Sequence, residues 1–506
     1  MVPEYDYIVV GAGTAGCVLA ARLSQDPAAR VLLLEAGSAG RTRAMTVPNA
    51  WPENLGSVAS WGDTTTPQAE AGPVVYPRGR ALGGSSAINA MAHVRGHRAV
   101  YDGWAAAGAV GWGFADLLPY FRRSETAIGR DPELRGTAGP IRVAPAVDRH
   151  PVAQAFVAGL LAAGYPGTDD LSGERQEGVG WPDLAIADGK RVSSADGYLT
   201  PARGRANLTV LTDCLVTRIE QAGSRCNGVS YRRGGRSVTV RTSGEVIVSA
   251  GAIGTPQLLM LSGIGPASQL RAAGIDPVVD LPEVGNNLQD HPIAIASYTS
   301  GSGLPDSKYN HGEACAALRT DLAGQHPDLH LLPILLPLAP AGYDLVPAGG
   351  YALVASAVAP GSRGSIRLAT GDARHAPLID PGFLRDEEDL DRLEAGLMMI
   401  RDVAARPEFR PVRQAEISPG PDVRASAEVR AYIRRTVSSY YHPAGTCRMG
   451  PDDGAVVDCQ LQVRGLTGLR IADASVLPTI PNAHPNATVL AVAERAADLI
   501  SGQSLE

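Results

Sequence analysis

The run Gly11-Ala12-Gly13-Thr14-Ala15-Gly16 is spaced to hold a pyrophosphate with main-chain groups alone. Gly11 permits a tight turn, Gly13 lets the backbone approach an anion, and Gly16 lets a helix and a strand pack closely. Glu35 adds a second chemical signal. A carboxylate at the tip of a strand accepts both ribose hydroxyls and repels a 2′-phosphate, which favours FAD or NAD over NADP. These residues act together only if the chain positions them. Tyr7–Val10 reads as a short apolar strand, Cys17–Leu23 as an Ala/Leu-rich helix and Arg30–Leu34 as a second strand ending at Glu35. That order is the βαβ context the motif requires, with the amides at the helix N-terminus turned to the phosphates.

Composition excludes several alternatives. The chain has 506 residues, enough for roughly two to four structural units. It is 44% hydrophobic and 19% charged, as soluble globular proteins are. A net charge of −7 and the lack of a basic stripe argue against a nucleic-acid partner. Among the 45 basic residues only Lys190 and Lys308 are lysines. No lysine-containing phosphate loop exists, so amides and arginines must hold any nucleotide. Cys17, Cys214, Cys226, Cys315, Cys447 and Cys459 show no C-x-x-C spacing, which fits a reduced, cytoplasmic protein without a zinc cluster. No signal-like leader precedes the first strand, and no apolar run is long enough to span a membrane. Oligomeric state is not legible.

Further segments extend the pattern. Pro77 to Asn89 is a second glycine-rich loop, with Arg78, Arg80, Ser85 and Ser86, expected to run into a helix. Such a loop supplies several donors to an extended anion. Glu245–Ala250 reads as a strand feeding a turn and helix through Gly265, and Val284 to Pro292 as a loop closing a domain. From about 293 to 435 the character changes. Leu329–Leu335, Tyr351–Ala357 and Ser365–Ala369 suggest antiparallel strands, and Asp389–Arg406 and Ala427–Val437 suggest helices. Leu469–Asp473 and Ala487–Ile500 return to βα character.

Taken together, these segments resemble the glucose–methanol–choline (GMC) family of flavin oxidoreductases. The match runs along nearly the whole chain: the fingerprint, Gly79 to Asn89, Gly251 to Gly265, Ser193 to Leu199, Tyr441 to Gly450 and Asp473-Ala474-Ser475. It is nearest to the choline dehydrogenase and 5-hydroxymethylfurfural oxidase branch. The resemblance implies an α/β protein with a Rossmann-type FAD-binding domain built from separate segments (1–150, 190–292 and 436–506). A substrate domain of antiparallel sheet with helices (151–189 and 293–435) would complete it. It implies FAD contacts at Gly11, Gly13, Thr14, Ala15, Gly16, Glu35 and Ala36. Arg80, Gly84, Ser85, Asn89 and Ala92 would lie along the pyrophosphate and flavin. Val216 and Ala250 would lie near the adenine, and Asp473, Ala474 and Pro485 near the ribityl chain and ring. Pro485 has no amide to donate to the flavin.

The resemblance also implies the reaction. FAD-dependent oxidation of an alcohol to an aldehyde or ketone removes a hydroxyl proton and transfers a hydride to flavin N5, and oxygen or another acceptor then takes the electrons. Histidine suits the proton step. The family places its base at His442, with His484 hydrogen-bonding the substrate oxygen. His93, just past the flavin-side segment, and Tyr440 are expected to line the substrate cavity. Ile88 stands where some members carry a flavin-linked histidine, so the FAD is expected to be non-covalent. His291, His97, His150, His311 and His375 are read as structural, Cys447 as packing, and His326 and His330 as strand residues rather than a metal pair. No metal is expected. A hydroxynitrile lyase-like enzyme and a non-catalytic flavoprotein are the competing readings. Cyanohydrin cleavage without flavin bleaching by any alcohol would mark the lyase.

Overall fold

The computed structural model describes residues 5–301, 303–340, 342–343 and 346–502. Two sheets organise it. In the first, the strands 208–211, 31–34, 5–10, 245–248 and 469–471 lie side by side, all parallel. Val31–Leu34 is wholly buried, as expected for a parallel strand covered on both faces. Thr14–Leu23 crosses between the first two strands and packs on the C-terminal helix Pro485–Ser501. Gly16 lets this helix lie close against the turn that ends strand 5–10. A Cβ there would lie 1.8 Å from the Gly11 carbonyl oxygen. The long strand Arg236–Val248 leaves the parallel sheet at one end and forms an antiparallel meander with Arg225–Arg233 and Leu215–Ala222.

The second sheet is antiparallel, in the order 416–418, 292–298, 351–357, 329–334, 315–318, 178–180. Tyr351–Ala357 is buried at every position rather than alternating. The cause is cover on both faces. Helix Glu387–Ala405 packs on one side with Leu393, Leu397 and Ile400 fully buried. Ile295, Leu332 and Val354 on the other side join a separate apolar cluster. Ser438–Ser439, placed by sequence with the FAD segments, instead pairs with Pro292–Ile293 at the edge of this sheet. The second glycine-rich loop also departs from expectation. It makes a single 3-10 turn, Gly84–Ala87, and no helix, because Gly83, Gly84 and Met91 all take left-handed φ values of 95°, 52° and 59°.

Two histidines read as structural have visible duties. His97 and His150 accept from the amides of Ala99 and Val152 as N-caps of helices Arg98–Ala106 and Pro151–Ala162. No helix is long and apolar enough to cross a membrane among the described residues.

Candidate active site

A cavity of about 700 Å³ runs between the two sheets. One end is walled by the two glycine-rich loops and the residues beside them. Gly11, Gly13, Thr14, Ala15, Glu35, Ala36, Gly84, Ser85, Asn89, Ala92, Val216, Ala250, Asp473, Ala474 and Pro485 all border it, so most of the residues singled out by sequence meet there. Gly16 sits behind them, in the helix–strand contact. The donor set at this end suits an anion. Thr14–Leu23 has no side-chain N-cap and no acidic residue in its first turn, so its first amides are free for a ligand. The two glycine loops are locked together. The Gly83 amide donates to the Ala12 carbonyl at 2.8 Å, and a Cβ on Gly84 would lie 2.6 Å from Gly13 Cα. A Cβ on Gly13 would meet no protein atom nearer than 3.9 Å, in space bordering the cavity.

The acids at this end are pinned by backbone. Glu35 accepts from Ala12 and Gly37 amides at 2.8 Å each, and burial raises its pKa to about 7. Asp473 accepts from the Gly251 and Ser475 amides and the Thr255 hydroxyl, which ties the start of helix Gly251–Leu261 to the turn Ala474–Val476 through one carboxylate. The amides, the acid at the strand tip and the two interlocked glycine loops therefore fit an FAD-sized dinucleotide.

Two expected contacts are corrected. Arg80 is exposed, stacks on Trp61 at 5.0 Å and does not border the cavity; Arg78, ion-paired to Asp63 and 4.3 Å from the same ring, does. His93 does not line the cavity either. Strand period explains it: in Ala92–His93, Ala92 faces the cavity and His93 the opposite side. There His93 Nε2 sits 2.8 Å from Glu125, a carboxylate held well below its usual range by Arg95, His93 and Arg135 against its burial. Nothing local in the sequence announces that cluster, since Glu125 is 32 residues away.

Two histidines line the other end of the cavity, and two more, His291 and His330, pack against them. His442 and His484 both border it, with ring centroids 5.2 Å apart. Tyr440 borders it too, its hydroxyl 3.0 Å from His484 Nε2 and its ring 4.4 Å from that of His442. His484 is the N-cap residue of Pro485–Ser501, with Nδ1 buried and unpartnered. His442 follows Tyr441, whose φ of 67° is left-handed. Its backbone is anchored by Asp290. That carboxylate accepts from the His442 and His291 amides at 2.8 Å each, from the Tyr76 hydroxyl at 2.6 Å and from the Ser439 hydroxyl. Burial raises the Asp290 pKa to about 6.

His291 is the residue whose place in the site sequence reading missed. Its Nδ1 lies 2.9 Å from His442 Nδ1, so one of the two nitrogens must carry a proton and the other a lone pair. The segment that carries it was legible as a loop, but its contact across 151 residues was not. Burial pushes His442 and His291 well below the ordinary imidazole value, His484 down to about 4 and His330 down to about 3. The rings are therefore neutral at neutral pH. His330, in Leu329–Ile334, stands 6.1 Å from the His484 ring, whereas His326 precedes that strand.

Neutral burial makes a stability prediction. Unfolded imidazoles take up protons below about pH 6.5. The buried rings refuse them, so the unfolded state binds more protons and stability falls as pH drops from about 6.5 through the folded-state values, down to about 3 for His330. His330→Leu is expected to make the fall between pH 6 and pH 4 shallower by at most about 1.4 kcal/mol per pH unit. Urea unfolding midpoints across that range measure it. An unchanged slope would show that His330 titrates normally in the native protein.

Comparison with known proteins agrees with this geometry. Family profiles described as GMC oxidoreductase match residues 5–293 and 360–493. Mitochondrial choline dehydrogenase of Homo sapiens is 40% identical, over 99% of this chain and 90% of that protein. Oxygen-dependent choline dehydrogenase of Photobacterium profundum is 38% identical, over 99% and 93%. Among solved structures, pyridoxine 4-oxidase from Mesorbium loti is 35% identical with a TM-score of 0.95, over 99% of this chain and 100% of that one. A fungal aryl-alcohol oxidase has a TM-score of 0.86 at 26% identity, over 99% of both chains. The chain belongs to the GMC oxidoreductase family. It is an FAD-dependent enzyme that oxidises an alcohol.

Proposed function

We propose that His442 is the base of this alcohol oxidation, with His484 and Tyr440 holding the substrate oxygen. The observation that carries the reading is the His291–His442 contact beside the cavity. The two Nδ1 atoms share one proton; with it on His442, His291 Nδ1 accepts from His442 Nδ1–H, and His442 Nε2 keeps its lone pair. His442 stays neutral because it is buried and faces other imidazoles, so it can take the hydroxyl proton. Tyr440 is kept as a neutral phenol by burial. With the proton on Nε2, His484 donates to the Tyr440 oxygen at 3.0 Å and leaves the Tyr440 O–H to donate to the substrate oxygen. When bound, FAD supplies the acceptor for the hydride leaving the alcohol carbon. Anaerobic bleaching of the flavin by an alcohol, compared between wild type and a His442 variant, tests the reading.

The FAD is held without a covalent bond. Ile88, 3% exposed, borders the cavity at the position where a linking histidine would stand. Acid precipitation is expected to leave the yellow colour in the supernatant. Colour retained in the pellet would overturn this. Uptake of oxygen against reduction of a dye identifies the electron acceptor.

A further inference from the structure

We propose that the substrate is an uncharged alcohol with an apolar body, and that the site discriminates against quaternary-ammonium alcohols such as choline. The proposal deepens the alcohol-oxidation reading above and rests on it.

The cavity wall around the histidines is aliphatic. Ile295, Leu332, Val354 and Ala352 pack as one cluster with Ile293, Ile334 and Tyr440 against it. All but Ala352 border the cavity. Tyr440 in turn touches both His442 and His484, so this apolar surface begins at the reacting group. Strand period produces it. Ile293 and Ile295 face the cavity while the fully buried Ala294 and Ala296 join the main core on the other face of the sheet.

A desolvated cation needs a carboxylate or a set of free aromatic faces. Among the described residues, the carboxylates that border the cavity are Glu35 and Asp473, both bound to backbone amides at the dinucleotide end. Asp290, behind His442, already accepts four hydrogen bonds and does not border the cavity. The aromatic faces are committed as well. Trp61 is covered by the Arg78 and Arg80 guanidinium groups, and Tyr440 lies against His442. That leaves Trp51 and Tyr441 in the wall, too few for a cage. The charge that remains has the wrong sign: Arg435 borders the cavity, is exposed and has no ion-pair partner among the described residues. An apolar alcohol, by contrast, gains from every methylene it buries against Ile295, Leu332 and Val354.

The test compares choline with 3,3-dimethylbutan-1-ol, which has the same shape with carbon in place of the ammonium nitrogen. Benzyl alcohol serves as an aromatic member of the proposed class. Anaerobic flavin reduction of the holoenzyme is followed with each. The neutral alcohols are expected to give a second-order rate constant at least 100-fold above that of choline. Reduction by benzyl alcohol alone supports the proposal equally. A choline rate equal to or above the neutral isostere and benzyl alcohol overturns it. If a broader alcohol panel also fails to bleach the flavin, the alcohol-oxidation reading itself has failed, and the two failures are told apart.

Discussion

His442→Ala is expected to slow anaerobic flavin reduction by a good alcohol by about 10²- to 10⁴-fold, the usual contribution of a general base. The FAD absorbance spectrum should be unchanged, because the His442 side chain meets His291, His484 and Tyr440 rather than the glycine loops. Truncation leaves two orphans: His291 Nδ1 loses its partner, and the alcohol proton has no acceptor beside it. The pH profile separates this from a general loss of packing. In the wild type, burial and the neighbouring imidazoles hold the His442 pKa well below its ordinary value. Its lone pair is therefore free across neutral pH, and the rate of flavin reduction should show no protonation limb near pH 6.5. In His442→Ala the residual rate should rise with hydroxide, since only solvent remains to take the proton. Near-normal reduction by the variant would remove His442 from the mechanism.

The second large effect concerns the cofactor. Gly84→Val is expected to yield protein largely depleted of FAD, with affinity lower by on the order of 100-fold, about 2.7 kcal/mol. Two costs coincide at this position. Its φ of 52° is left-handed, a conformation that penalises a β-branched residue. The added Cβ would also fall 2.6 Å from Gly13 Cα, inside the contact that holds the two loops together. Neither backbone can yield without moving amides that face the cavity. Gly103→Ala is the control: it lies in Arg98–Ala106 with no atom within 4 Å of an added Cβ, so it should keep its FAD. The ratio of flavin to protein absorbance after desalting reports both. Full FAD retention by Gly84→Val would show that the two loops need not touch.

Much of the cofactor end was legible because its signals are local. A glycine run between two apolar strands, an acid at the second strand tip and a second glycine loop each lie within a few tens of residues, and backbone conformation follows from them directly. Helix limits were legible for the same reason: Asp389–Arg406 was expected and Glu387–Ala405 formed, and Ala427–Val437 became Ser426–Thr436. Errors arose where the direction of a side chain, rather than the course of the backbone, was at stake. The direction of His93 depends on strand period and on Glu125, Arg95 and Arg135 collecting behind it. Arg80 turned outward because Trp61 offered a face to stack on.

The sequence by itself determined the family and the dinucleotide fingerprint, and it singled out the two histidines that border the cavity. Each of these is carried by residue type at short spacing, and the chain has little freedom to place them otherwise. Only the tertiary structure decided how those histidines are set up. His291 and His442 come from segments 151 residues apart and meet at 2.9 Å because one carboxylate, Asp290, binds both of their backbone amides. Tertiary structure likewise decided the character of the substrate wall. Strand alternation shows only that one face of a strand differs from the other; packing of Glu387–Ala405 on one side of the sheet is what turned Ile295, Leu332 and Val354 toward the cavity.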